Sequence, residues 1–126
     1  MKTYLICLAL VLFTISVISG CSSKETAVVY TEQSQIINVN AGQEFTIALK
    51  SNPTTGYDWE YTSTYAWIQS LGKTYQSDNT GLIGSGGTDT FTFKAQSNGT
   101  ATLVFTYKRS WETTIADQKT FTVDVK

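Results

Sequence analysis

The residue types that carry covalent chemistry are nearly missing from this chain. It has no histidine, which removes Ser–His and Cys–His nucleophilic pairs and most zinc sites together. Asp58 and Glu60 stand two apart in an alternating stretch, so both carboxylates lie on one face of a strand. A solvated strand face accounts for them better than general acid–base work such as glycoside hydrolysis. No glycine-rich segment leads from a strand into a helix, so nothing is built to cradle a nucleotide phosphate. Asn98-Gly99-Thr100 fits a glycosylation sequon, but Asn-Gly between two apolar runs is explained by a tight hairpin. These absences predict a protein that is not an enzyme and needs no cofactor or metal.

Two cysteines remain, and both belong to the N-terminus. Met1 and Lys2 give a short positive region, and residues 4–18 are almost wholly apolar. That run is short for a membrane span and suits the apolar part of a secretion signal. Val17-Ile18-Ser19-Gly20-Cys21 then sets small residues before a cysteine, which resembles the lipobox of bacterial-type lipoproteins. The resemblance implies cleavage before Cys21 and lipid on its thiol. The protein would then be exported and anchored to a membrane of the cell envelope, on the periplasmic side or at the cell surface. An ordinary signal with a coincidental cysteine is the alternative. On this reading residues 1–20 are signal, 21–33 are the lipidated N-terminus and a polar tether that turns strand-like near 27–30, and 34–126 are the folded domain. The mature chain has 126 − 20 = 106 residues and, having lost Lys2, a side-chain charge of 8 − 10 = −2. So mild a charge, without a basic stripe, argues against nucleic acid as a partner. With Cys7 removed and Cys21 acylated no disulfide can form, so the core alone must hold the domain, and a monomer is expected.

The elements that position everything else are strands. Period-two alternation places Phe45, Ile47 and Leu49 on one face, then Tyr57, Trp59 and Tyr61, then Phe91 and Phe93. Ala101, Leu103, Phe105 and Tyr107 follow, and then Phe121, Val123 and Val125. Strands near 36–39 and 67–75 bring the total to about seven. Asn40-Ala41-Gly42, Asn52-Pro53, Ser77-Asp78-Asn79, residues 81–87 and Ser97-Asn98-Gly99 separate them. Seven short alternating strands predict an all-β, immunoglobulin-like antiparallel β-sandwich with Trp59 as its large core aromatic, and a closed barrel is the alternative.

Three connections are more particular than chain reversal requires. In the first, Asn52 is held extended by Pro53, Pro53 fixes its own φ, and Gly56 permits a backbone other residues resist, so Thr54 and Thr55 sit on a rigid tip. In the second, Gly81, Gly84, Gly86 and Gly87 surround the apolar pair Leu82-Ile83 and Ser85. That composition suits close main-chain approach to a partner, unless Leu82 and Ile83 belong to an edge strand. The third, Arg109-Ser110-Trp111, combines the residue types that dominate binding hot spots, unless Trp111 merely caps the core. As loops B–C, D–E and F–G of the sandwich, all three would emerge at one end.

Asn52-Pro53-Thr54-Thr55-Gly56-Tyr57, Gly84-Ser85-Gly86-Gly87 and Arg109-Ser110-Trp111 occur in an order that resembles the chagasin-like inhibitors of papain-family cysteine proteases. That family carries NPTTGY, GxGG and RPW-type motifs. The first two are complete, and in the third Ser110 stands where the family usually has proline. The resemblance covers nearly all of residues 34–126. It implies a reversible, non-covalent inhibitor that occludes the protease cleft, with Thr54 and Thr55 over the catalytic cysteine and histidine. Leu82, Ile83 and the glycines would lie along the non-primed side and Trp111 on the primed side, with Tyr57 at the loop base. A different class of function, a carbohydrate-binding or adhesive module, would instead use Tyr65, Trp67 and Trp111 as a stacking platform.

Overall fold

A computed structural model describes residues 28–31 and 36–126, and the expectations for the signal, Cys21 and most of the tether fall outside them. The chain forms β1 (Val29–Tyr30), β2 (Ile36–Val39), β3 (Glu44–Ser51), β4 (Tyr57–Ser63), β5 (Ile68–Ser77), β6 (Gly87–Ala95), β7 (Gly99–Arg109) and β8 (Ile115–Val125). A single 3-10 turn, Pro53–Thr55, interrupts the strands among the described residues. They pair into two four-stranded sheets, ordered β1-β3-β6-β5 and β2-β8-β7-β4. The all-β sandwich expected from alternation is therefore the fold.

In detail the sheets are mixed. The strand-like residues before the predicted domain boundary form an eighth strand, β1, which runs parallel to β3, and β2 runs parallel to β8. The reason is that the chain changes sheets between β1 and β2. Each piece pairs at an edge whose existing strand already runs its way. A two-residue strand is too short to show alternation, so its pairing is not visible in the sequence.

Burial follows period two closely. Along β6 every second residue is buried, from Gly87 through Asp89, Phe91 and Phe93 to Ala95. Register sets Phe45 beside Phe93 and Ile47 beside Phe91 in the first sheet. In the second it sets Leu103 beside Phe121 and Ala101 beside Val123. Phe105 reaches across the interface to meet Phe91 edge-on at 4.9 Å, and within its own sheet it meets Phe121 edge-on at 5.6 Å. Such edge-to-face pairs add about 0.5–1.5 kcal/mol each beyond the area they bury. The buried indole of Trp59 on β4 donates from Nε1 to the Lys50 carbonyl of β3 at 2.8 Å, joining the sheets.

β5 is an outer strand, exposed over nearly its whole length, with a bulge between Ser70 and Gly72. Just beyond the bulge Lys73 pairs with Asp58 of β4 and, at 3.4 Å, with the buried carboxylate of Asp89. This one cation ties an edge of each sheet to the other.

β3, β5 and β7 end, and β4, β6 and β8 begin, at the same end of the sandwich. Ser51, Gly87 and Ser77 are in register across the first sheet there, and Tyr57 and Arg109 across the second. Replacing Trp59 by Phe removes the indole bond and part of the ring volume at this end. The urea unfolding free energy should fall by about 1–3 kcal/mol, and an unchanged midpoint would show that the inter-sheet bond contributes nothing.

Candidate functional site

The first loop is organised by Asn52. Its main-chain amide donates to the Tyr107 hydroxyl at 2.9 Å, fixing the end of β3 to the opposite sheet. Its main-chain carbonyl accepts from the Thr55 amide at 3.1 Å and the Thr55 hydroxyl at 2.6 Å, and its side-chain oxygen accepts from the Thr54 hydroxyl at 2.5 Å. These bonds close the 3-10 turn that begins at Pro53, and Gly56 ends it in the left-handed region at φ 81°, donating to the Pro53 carbonyl at 3.1 Å. Thr54 and Thr55 are exposed at the tip, as the sequence predicts. Both hydroxyls are bonded back into the loop, so the tip offers threonine methyls and main chain outward.

The second loop is bonded to the first. The Asn52 side-chain amide donates to the Gly84 carbonyl at 3.0 Å. Leu82 and Ile83 lie outside every described strand and are 74% and 106% exposed, which settles the edge-strand alternative. They form an apolar prominence beside the threonine tip. The glycines divide into two kinds. Gly81 and Gly84 hold positive φ in the turn. Gly86 and Gly87 are small because neighbours are close: a Cβ at Gly86 would lie 2.8 Å from the Ser51 carbonyl, and one at Gly87 2.2 Å from that of Gln76. Gly87 is buried as the first residue of β6, so its place is in the frame beneath the loop.

The third loop is tied to the first through Arg109. Its Nε donates to the Thr55 carbonyl at 3.0 Å, and its guanidinium lies over the Tyr57 ring at 4.4 Å and near the Trp111 ring at 5.9 Å. Tyr57 stacks in turn on Tyr107 at 5.3 Å, which makes it the expected loop-base residue. Trp111 is 70% exposed, so it does not cap the core. Its six-membered ring covers Gly56, where an added Cβ would stand 2.5 Å from Cη2. Exposed aromatic area is thereby held next to the tip.

Ser110 occupies the second position of a turn in which the Glu112 amide donates to the Arg109 carbonyl at 3.1 Å. Among the described residues only Asn79 has positive φ outside glycine, so the turn is compatible with type I. Its ends are also clamped by the Arg109–Glu112 ion pair at 3.1 Å. A proline would favour this position by fixing φ, and here an ion pair across the turn restrains it. The sequence reading missed Glu112 and the Tyr107 hydroxyl. The three-residue spacing of opposite charges in Arg109 and Glu112 was the available signal for the former. Nothing local marked the latter.

All three predicted loops thus meet, and they are bonded into one surface. No group of three or more metal-ligating side chains occurs among the described residues. Tyr65 and Trp67 stack on each other at 5.5 Å, but Trp67 lies against Gly99 at the start of β7. Trp111 lies beyond the other end of that strand, so the three aromatics do not form a single platform.

This architecture and its three-loop end belong to a class of proteinaceous peptidase inhibitors. The family model described as Chagasin family peptidase inhibitor I42 matches residues 38–125, and the chain is a member of that family. It is 32% identical over 95 residues to chagasin of Trypanosoma cruzi, covering 71% of this chain and 86% of that protein. It is 29% identical over 89 residues to amoebiasin-1 of Entamoeba histolytica, again covering 71% and 86%. Among solved structures, the cysteine protease inhibitor EhICP2 of Entamoeba histolytica shares the fold. Its TM-score is 0.64 at 19% identity, over 80% of this chain and 98% of that one.

Restoring the fixed φ should tighten the third loop. Ser110→Pro is expected to raise the unfolding free energy by about 0.4–1 kcal/mol, measured by thermal melting. A lower melting temperature would mean that the turn needs the Ser110 amide or another backbone angle.

Proposed function

We propose that the protein inhibits papain-family cysteine proteases reversibly and without covalent attachment, by seating the three-loop end in the active-site cleft. The carrying observation is the mutual bonding of the loops: Asn52 to Gly84, and Arg109 to Thr55. A surface ordered before it meets its partner loses less entropy on docking, which favours tight binding by small contacts. Membership of the chagasin family, with chagasin itself a relative at 32% identity, supports the choice of cysteine proteases.

The geometry supplies a division of labour. The threonine tip is narrow and curled in a 3-10 turn, so it can enter a slot without offering an extended, cleavable peptide. Leu82 and Ile83 provide apolar side chains for pockets on one side, and the glycines admit another main chain. On the other side Trp111 buries a large indole face. The Arg109–Glu112 pair leaves this end with little net charge, so shape and apolar area carry recognition. Lipid on Cys21, following the lipobox-like sequence, would place this inhibitor on a membrane of the cell envelope as a monomer.

A titration of papain with the mature chain tests the reading. Inhibition should be stoichiometric and reversible on dilution, and its absence at micromolar protein across several papain-like enzymes would refute it. Trp111→Ala should weaken inhibition by about 2 kcal/mol, roughly 30-fold, with the melting temperature unchanged because the indole is exposed. Equal inhibition with a lowered melting temperature would assign the indole to stability instead.

A further inference from the structure

We infer that the second loop is held out of the conformation a protease cuts, and that Gly84 and the Asn52 carboxamide are the positioning groups that hold it. The inference rests on the proposed seating of this end in a protease cleft, and it adds what keeps the loop from becoming a substrate there.

In composition the loop is a substrate. Leu82 and Ile83 are consecutive apolar side chains, almost fully exposed, outside every described strand and flanked by Gly81 and Gly84. Exposed loop tips are where endopeptidases nick folded proteins. A cleft takes up such a segment by pairing with its main chain in extended form.

In geometry the loop is the reverse. The Ser85 amide donates to the Leu82 carbonyl at 3.4 Å, and Gly84, third of these four residues, has a φ of 79°. Ile83 before it keeps the ordinary negative φ, and the two together are the pattern of a type II turn. The end Cα atoms of such a turn lie less than about 7 Å apart, against about 10 Å along an extended strand. Residues 82–85 therefore cannot lie along a cleft as a strand while the turn is closed, and the Ile83–Gly84 peptide bond is at its apex.

The main-chain groups that a protease would pair with are already engaged. The Leu82 amide donates to Thr80 Oγ1 at 3.3 Å, and the Gly84 carbonyl accepts from the Asn52 side-chain amide at 3.0 Å. At the neck of the loop the Asp78 amide donates to the Gly86 carbonyl at 3.0 Å. Nothing lies within 4 Å of a Cβ built at Gly84, so this glycine answers to its backbone angle and not to crowding. A cleft that drew the loop straight would have to break the Asn52 bond, and Asn52 also closes the threonine turn. The tip in the slot and the closed second loop thus hold each other in place.

The test is limited proteolysis of the mature chain and its variants, first by thermolysin and then by papain. Thermolysin is a metalloprotease that cuts before large apolar residues, and it lies outside the proposed target class. A cut adds water across one peptide bond and is read by denaturing mass spectrometry as two fragments. Gly84→Asn and Gly84→Val both add a side chain in open space, but asparagine tolerates positive φ and β-branched valine does not. The wild type and Gly84→Asn should resist thermolysin at residues 81–85. Gly84→Val should be cut there at least about tenfold faster, because a strained φ shifts the turn toward open forms. Asn52→Asp keeps the acceptor toward Thr54 and loses the donor toward Gly84, and should be cut about fivefold faster. With papain, Gly84→Val should lose inhibition over time as the loop is cut, while the wild type keeps it. Equal cutting of the two Gly84 variants, or a wild-type loop cut as fast as Gly84→Val, would overturn the inference. Cuts spread through the strands of Gly84→Val would assign the glycine to domain stability and overturn it as well. The thermolysin result stands whether or not papain is inhibited, and wild-type inhibition of papain separately tests the protease reading.

Discussion

One asparagine holds the functional end together. Asn52 joins the two sheets through Tyr107, closes the threonine turn through both of its oxygens, and reaches the second loop through Gly84. A carboxamide is suited to this because it donates and accepts at once, on a stem too short to wander. An aspartate would keep the acceptor toward Thr54 and lose the donor toward Gly84. Pro53 removes the remaining freedom by holding Asn52 out of the helical region, and the observed φ of −138° and ψ of 87° are extended as required.

Around that residue the loop end is built in layers of decreasing burial. Trp59 is in the core, Tyr107 and Tyr57 are half-buried above it, and the Arg109 guanidinium and the Trp111 indole complete the stack outward. Rigidity is passed from the packed interior to an exposed indole through ring and cation–π contacts, each worth about 0.5–1.5 kcal/mol. No disulfide is needed, because each ring is fixed by the one beneath it. The exposed ion pairs, such as Lys50–Asp78 beside the second loop, contribute little to stability.

Much of this was legible in the sequence, for identifiable reasons. Alternation of Phe45, Ile47 and Leu49, or of Leu103, Phe105 and Tyr107, marks strands because each has one buried face. Pro53 and Gly56 announce a turn because only particular backbone angles suit them. What was not legible depends on pairs distant in sequence. Tyr107 read as one more apolar residue of its strand, yet its hydroxyl bonds an amide 55 positions away. Gly86 and Gly87 read as part of a flexible, partner-facing run, yet their smallness answers to the Ser51 and Gln76 carbonyls inside the same sheet. The parallel placement of β1 and β2 depends on which sheet edges are open, which no local pattern encodes.

The bulge in β5 governs the company this domain can keep. An outer strand of ten residues with open main-chain groups is a template on which a second copy could extend the sheet. At Ser70–Gly72 the ladder slips, and at Lys73 the strand carries a charge already committed to Asp58 and Asp89. A neighbour laying a straight strand along this edge would find its hydrogen bonds out of step halfway along, and continuing would mean prising an ammonium from two carboxylates. The bulge and the committed lysine therefore make this edge a poor template for extension of the sheet.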